Sequence, residues 1–218
     1  MIKSFSALFA VALCLGSAAS LRAQTRYNSQ PRGNSIRVDG TSTTHDWQME
    51  GTVIGGFLVL GDAVTLDPAA TDIPGVQNGA VPAHARASIL VRTIHSKAEH
   101  LPEVMDHLMK NALKEDQFPV IQFNLSGLTS KAPHAAGAPF DFDAAGALSF
   151  SGVTNNVSFP ISITVLDGGR IKLSGVVPLK MTSYGVTPPA PDIGLGAMRC
   201  GDDVKISFDW TLKKVGAQ

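Results

Sequence analysis

The sequence is poor in cysteine, in charged residues and in long apolar runs. Only 17% of its 218 residues are charged, and two are cysteines, Cys14 and Cys200. Basic and acidic residues are equal in number, which gives a formal net charge of +0. This balance provides no electrostatic basis for binding nucleic acid. The apolar run at residues 5–15 is shorter than the roughly 20 residues that a membrane-spanning helix needs.

That amino-terminal run instead has the pattern of a secretory signal peptide. Lys3 supplies a basic start, an apolar stretch follows, and small residues occupy positions 16–20. We therefore expect residues 1–23 to be a signal peptide and the mature protein to be periplasmic or secreted. Its removal leaves Cys200 as the single cysteine, so we expect no intrachain disulfide despite export.

Sequence signatures of catalysis are equally scarce. The chain contains neither a Gly-x-Ser-x-Gly elbow nor a phosphate-binding glycine loop. His100 and His107 share a helical face but stand roughly 10 Å apart along it, too far for one ion. His45 and Asp46 are adjacent, and neighbours on a strand point to opposite faces. We expect no catalysis, no metal ion and no cofactor.

Alternating apolar residues dominate the second half of the chain. The stretch from Gly146 to Val165 reads as two alternating runs, and we predict that Thr154-Asn155-Asn156 forms the turn between them. The same period of two, typical of strands with one buried face, continues in two further groups: Ile171, Leu173, Val177, Leu179 and Met181, then Val204, Ile206, Phe208, Trp210 and Leu212.

One segment departs from this pattern. Residues 101–114 place apolar side chains at helical spacing, and Pro102 suits a first helical turn, which predicts one amphipathic helix. The helix either covers an end of the sheet or docks on a membrane or partner. Proline and glycine predict irregular loops at residues 61–85, 131–139 and 187–196, and a turn at Gly55-Gly56.

These elements favour a mainly β protein, a closed antiparallel barrel of about eight strands with one helix. Closure removes exposed sheet edges, and an open sandwich is the structural alternative. We assign residues 24–33 to a flexible lead-in and residues 34–214 to the barrel domain. An eight-stranded barrel either fills with side chains or holds one small ligand, so an apolar lining leaves both a cavity and a filled core open.

Three blocks of the sequence carry recognisable motifs. The first runs from Met105 to Phe123 and ends in Phe-Pro-x-Ile-x-Phe; the second is the Gly-x-Leu-x-Phe-x-Gly-Val-Thr motif at residues 146–154; the third is the closing segment at residues 203–208. In this order, the three blocks resemble the YceI family of exported polyisoprenoid-binding proteins. The segment around Trp47 departs from the family pattern. The resemblance covers most of residues 34–214 and implies a lipocalin-like barrel that holds an isoprenoid lipid without catalysis.

The resulting hypothesis is non-catalytic binding, transport or storage of an isoprenoid lipid or a quinone-like amphiphile. A structural or interaction barrel with a filled core is the alternative, and a hydrolase using His45 and Asp46 is a further one. The expected ligand-binding residues are Phe123, Leu125, Leu148, Phe150, Phe159, Ile161, Ile163, Leu173, Val177, Ile206, Phe208, Met105 and Met109.

Overall fold

A computed structural model describes residues 24–131, 133–190 and 198–216. The expected signal peptide, residues 1–23, lies outside the described residues. The elements are β1 (Thr25–Ser29), β2 (Ser35–Ser42), β3 (Trp47–Gly51), β4 (Gly55–Leu60), β5 (Ala83–Leu90), β6 (Ile94–Ser96), α1 (Pro102–Ala112), β7 (Val120–Ser130), β8 (Phe140–Phe150), β9 (Val153–Leu166), β10 (Arg170–Lys180) and β11 (Cys200–Lys214).

Eight of these strands close into an antiparallel barrel, as predicted. The hydrogen-bonded order is β1-β4-β5-β7-β8-β9-β10-β11, and pairing between β1 and β11 completes the ring. The predicted alternation holds in the long strands: along β8 every inward residue from Phe140 to Phe150 is buried. Because side chains alternate across a strand, the ring encloses one continuous apolar interior.

The three short strands β2, β3 and β6 extend the barrel at one end. β2 pairs with the first part of β11, while β1 pairs with the last part of the same strand. β3 follows β2, and β6 is the last strand in the sheet order. The segment between β6 and β7 contains α1, which contacts β6. The helix therefore lies where the extended wall ends.

The prediction that residues 24–33 form a flexible lead-in is wrong. Thr25–Ser29 is strand β1, and it pairs with β4 on one side and β11 on the other. Its sequence is polar apart from Tyr27, so the apolar period that marks the other strands is missing. β1 is held by its backbone, and backbone pairing leaves no signature in side-chain hydropathy.

The predicted turn in the Gly146 to Val165 stretch is also misplaced. Thr154 pairs with Ser149 within the β8–β9 ladder, and Asn155 and Asn156 continue that ladder. The turn is Ser151-Gly152, with φ values of 53° and 82°. Two positive φ angles are typical of the tight hairpin turn whose twist matches the strands, and glycine adopts them without strain.

Two smaller predictions are corrected. Gly55 and Gly56 begin β4 and pair with β5 rather than forming a turn. The segment at residues 61–82 is irregular as predicted, but it is not purely a surface loop, because Val64, Ile73 and Val81 are buried in the main core. The loops at residues 131–139 and 187–190 lack regular structure where the structure describes them.

Candidate ligand-binding site

The barrel interior contains an apolar cavity of about 110 Å³, here called the inner chamber. Cavities near this size can hold a small hydrocarbon, since an apolar cavity of roughly 150 Å³ binds benzene. Its described lining is wholly apolar and comprises Ile36, Ile54, Leu58, Ala85, Ala87, Ile89, Ile121, Phe123, Leu125, Leu128, Ala144, Leu148, Phe159, Ile161, Ile163, Leu173, Val177, Ile206, Phe208 and Trp210.

Three phenyl rings cross the inner chamber near one end. Phe123 and Phe159 have ring centroids 5.3 Å apart, and Phe159 meets Phe208 edge-on at 6.2 Å. These residues come from β7, β9 and β11, so the layer spans the barrel. Each contact lies in the range favoured for aromatic pairs. We call this group the phenyl layer.

Glycines lie directly behind two of these rings. A Cβ atom added at Gly175 would come within 2.8 Å of the Phe208 ring, and one at Gly146 would come within 2.6 Å of the Phe123 ring. The Phe208 ring occupies the space above Gly175 and lies against the wall, so this glycine does not leave that space open for a ligand.

A second apolar cavity of about 110 Å³, the outer chamber, lies between the barrel and α1. The helix contributes Met105, Leu108, Met109, Ala112 and Leu113, and the strands contribute chiefly aliphatic side chains and Phe150. Flexible methionines adapt to ligands of different shape. The apolar stripe of the helix therefore covers a cavity, which supports the first of its two predicted roles.

Asp106 attaches this helix to the barrel. Its Oδ1 accepts a hydrogen bond from the Ser96 amide at 2.5 Å, and its Oδ2 lies 2.7 Å from His95 Nδ1. The helix contains no fully buried residue. It begins after Leu101, which has a left-handed φ of 54° and is 60% exposed. Two contacts to β6 thus hold a helix that otherwise packs only through its half-buried stripe.

An open polar groove adjoins the outer chamber at Trp47. Trp47, Met105, Met198 and Val204 line both spaces. Trp47 lies flat over Gly40, where an added Cβ would come within 2.1 Å of the indole, and its Nε1 donates to the Thr41 carbonyl at 3.0 Å. Indole presents an apolar body and a polar edge, which suits the boundary between an apolar chamber and solvent.

Charges in the groove are largely neutralised by neighbours. Arg37 pairs with Asp39 at 2.8 Å, and Lys97 lies 3.4 Å from Glu50. A hydrogen bond from Gln48 and the nearby Arg37 guanidinium lower the pKa of Asp39. The charged side chains that line the groove are Arg37, Lys97, Lys205, Asp39, Asp46, Glu99 and Asp203. Carboxylates therefore slightly outnumber cations.

Cys200 contributes a thiol to the outer chamber. The residue is half-buried at the start of β11, and burial raises the pKa of its thiol. The thiolate is the reactive form of cysteine, so this environment disfavours nucleophilic chemistry.

The structure places all thirteen predicted binding residues on the walls of the two chambers. Met105, Met109 and Phe150 line the outer chamber, Ile206 lines both, and the other nine line the inner chamber. Sequence reasoning missed Trp47, Met49, Ile121 and Cys200, among others. Ile121 could have been found from the alternation in β7, whereas Trp47 reaches the outer chamber from the end of a turn that carries no apolar period.

His45 and Asp46 lie apart from both chambers. Both are exposed in the segment between β2 and β3, and His45 Nδ1 lies 3.0 Å from Thr44 Oγ1. Within the described ranges, no group of three or more metal-ligating side chains comes together. In the same ranges, no helix is long and apolar enough to cross a membrane.

A closed antiparallel barrel around apolar chambers defines the class of protein as a lipocalin-like β-barrel. The chain belongs to the YceI-like family, because the model of the YceI-like domain matches residues 27–212. This match confirms the resemblance seen in the sequence.

Two solved structures share the fold. A polyisoprenoid-binding domain from Saccharophagus degradans, implicated in plant cell wall breakdown, is 12% identical, with a TM-score of 0.58 over 87% of this chain and 98% of that one. BcnA from Burkholderia cenocepacia is 15% identical, with a TM-score of 0.55 over 82% of this chain and 95% of that one. A comparison with curated proteins finds no match.

Proposed function

We propose that this protein binds an isoprenoid lipid without catalysis, with the tail in the chambers and the headgroup in the groove beside Trp47. The observation that carries the proposal is the pair of apolar chambers, one of which adjoins a polar groove. A filled core would leave no such spaces. The polyisoprenoid-binding domain from Saccharophagus degradans provides a ligand precedent within the same fold.

Burial of the tail supplies the affinity in this proposal. Each methylene taken out of water contributes on the order of 0.8 kcal/mol, so a long tail needs few polar contacts. Aromatic rings and methionine side chains on the walls can follow the branched outline of an isoprenoid chain. In this proposal the ligand is a cargo, because the described residues of the two chambers are apolar apart from the Cys200 thiol, and burial raises the pKa of that thiol.

The groove favours an uncharged headgroup. Two of its three arginine and lysine side chains are engaged by carboxylates, in the pairs Arg37–Asp39 and Lys97–Glu50, and a diphosphate would have to compete with those carboxylates. A quinone or an alcohol carries no negative charge, so the groove carboxylates do not repel it. A quinone oxygen can accept a hydrogen bond, and an alcohol can donate or accept one. We therefore propose a quinone-like or alcohol headgroup in preference to an anionic one.

The test is to recover the protein from cells that export it and identify bound lipid by organic extraction and mass spectrometry. Titration with solanesol, a long-chain ubiquinone and a polyprenyl diphosphate then ranks the headgroups. We expect a co-purifying isoprenoid and weaker binding of the diphosphate. Absence of isoprenoid from the extract together with no binding in titration would overturn the proposal.

Two further measurements test the hydrolase alternative and the cellular location of the protein. A hydrolase centred on His45 would lose an activity in the His45→Ala variant. The proposed carrier keeps its affinity for the tail in that variant, because His45 lines the groove and neither chamber. The signal pattern of residues 1–23 supports an exported carrier, and fractionation of cells should find the protein in the periplasm or the medium. Recovery from the cytoplasm alone would contradict this part of the proposal.

A further inference from the structure

The boundary between the two chambers runs across the barrel at one level. Three inward residues of β11 differ in which of the two chambers they line. Val204 lines the outer chamber, Phe208 lines the inner chamber, and Ile206 lines both. On β8 the boundary falls between Phe150 and Leu148. Ile206 pairs with Val38 on one side and Val177 on the other. Val38 lines the outer chamber and Val177 lines the inner chamber, so the boundary runs past Ile206 on both neighbouring strands.

Only two side chains line both chambers among the described residues, Ile121 and Ile206. The phenyl layer begins one inward position further along the same strands, with Phe123 and Phe208. A tail that moves from the outer to the inner chamber therefore meets these two branched aliphatic side chains and then the phenyl rings. We call this boundary the constriction.

The glycines determine how wide the constriction is. Because Gly175 has no side chain, the Phe208 ring lies back against β10, and Gly146 lets the Phe123 ring lie back in the same way. Phe159 still contacts both rings, at centroid distances of 5.3 Å and 6.2 Å, so a tail that crosses the layer has to displace them. A methyl group at position 175 would push Phe208 away from the wall and towards Phe159, which would tighten the layer.

We propose that the constriction formed by Ile121, Ile206 and the phenyl layer is a tail-length filter. Resting on the proposed function, this inference divides isoprenoid ligands into two groups. A short tail stays outside the constriction, in the outer chamber and the adjoining groove, whereas a long tail displaces the phenyl rings and gains the burial of the inner chamber. Selectivity for long tails then depends on residues far from the headgroup groove.

The chain contains a natural reporter for each chamber. It has two tryptophans; Trp47 lines the outer chamber and Trp210 lines the inner one. Trp210 is 4% exposed, so its emission responds to what enters the inner chamber. In the Trp47→Phe background, Trp210 is the only indole, and its emission separates filling of the inner chamber from binding outside it.

The experiment measures dissociation constants for farnesol and solanesol, with Trp210 emission recorded in the Trp47→Phe background. We expect solanesol, but not farnesol, to change Trp210 emission. Ile206→Phe narrows the constriction and should weaken solanesol binding by about tenfold or more, since each lost methylene contact contributes on the order of 0.8 kcal/mol. The loss for farnesol should be smaller than the loss for solanesol, because farnesol meets Ile206 only from the outer chamber.

Gly175→Ala closes the same passage by a second route, through Phe208, and should reproduce the loss for solanesol. Val176→Ala is the matched control, because Val176 is the next residue and is 41% exposed on the outer face. Thermal unfolding of each variant checks that the barrel is intact. If one closing variant fails to fold, the other still decides the question.

Equal losses for farnesol and solanesol in a folded closing variant would overturn the filter, as would an unchanged affinity for solanesol. In both cases the proposed function stands, because the parent protein still binds isoprenoids. Failure of the parent protein to bind either probe would overturn the proposed function, and the filter with it.

Discussion

At the residue scale, glycine and aromatic side chains are matched across neighbouring strands. Gly40 lies beneath Trp47, Gly146 beneath Phe123, and Gly175 beneath Phe208. Each glycine removes the side chain that would force the ring into the barrel. These three rings thus lie against the walls, although Phe123 and Phe208 still meet Phe159 in the phenyl layer. The size of the chambers therefore depends on residues that have no side chain of their own.

Cys200 gives a prediction at the same scale. Burial raises the pKa of its thiol, so the thiolate is scarce near neutral pH and we expect slow alkylation by iodoacetamide. The rate should rise as the pH approaches the raised pKa. A lipid in the outer chamber should slow the reaction further, because Cys200 lines that chamber. Mass spectrometry of the Cys200 peptide over time measures both effects.

A rate equal to that of an unhindered thiol peptide at neutral pH would contradict this assignment. The Cys200→Ser variant is the control for reaction at other sites. It should bind lipid as the parent protein does, because serine is similar in size and the proposed affinity comes from the apolar walls.

At the element scale, α1 covers the end of the extended wall. The strand order ends at β6, and the helix fills the segment before the chain returns to the barrel as β7. Its attachment depends on Asp106, which bonds the Ser96 amide and His95. A helix held by few contacts can open without unfolding the barrel, which would provide access to the outer chamber.

Replacing Asp106 with alanine should free this helix. Hydrogen bonds to a charged group are worth about 1.5–3 kcal/mol, so we expect amide exchange in α1 to accelerate by about tenfold or more. Exchange in β8 and β9 should be unchanged. Hydrogen-exchange mass spectrometry makes the comparison, and Glu103→Ala, which removes an exposed acid from the same helix, is the matched control. Equal exchange in the two variants would refute a role for Asp106 in holding the helix.

At the scale of the whole molecule, β1 closes the barrel. It pairs with β4 and with β11, and Ser29 Oγ accepts a hydrogen bond from Trp210 Nε1 at 2.9 Å. Without β1 the ring would open between those two strands and expose an edge on each. Exposed edges pair with other chains and promote aggregation.

Removing residues 25–29 should therefore lower the free energy of unfolding by roughly 3 kcal/mol or more, since each lost backbone hydrogen bond contributes about 0.5–1.5 kcal/mol. Urea unfolding followed by Trp210 fluorescence measures the change, and a chain that begins at residue 24 is the control. The shortened protein should also sediment as larger species. An unchanged unfolding midpoint would show that closure by β1 is not needed for stability.

Much of the barrel could be predicted because its long strands carry a local signal. The inward side chains of β8, β10 and β11 are apolar at every second position, and that period follows from strand geometry alone. The amphipathic helix could be predicted for the same reason, because its apolar residues recur at the helical period of about 3.6 residues. The thirteen residues predicted to bind a ligand line the two chambers because they belong to these periodic segments, and their role in binding stays a prediction.

Other features carried no such signal. Thr154, Asn155 and Asn156 favour a turn by composition, but they continue the β8–β9 ladder because Ser151-Gly152 already supplies the two positive φ angles. The polar strand β1 is held by backbone pairing, and the short β3 places Trp47 at the outer chamber. Each depends on partners distant in the chain.

The amino-acid sequence by itself determined which side chains of the long strands face inward, the presence of one helix within residues 101–114 and the relationship to the YceI-like family. These properties follow from local periods and motifs, which each segment carries wherever it is placed. Only the tertiary structure decided that β1 closes the ring and that the interior is divided into two chambers. Closure needs backbone edges from β4 and β11, and the division needs rings from three strands set against glycines on others, so neither exists until those strands are brought together.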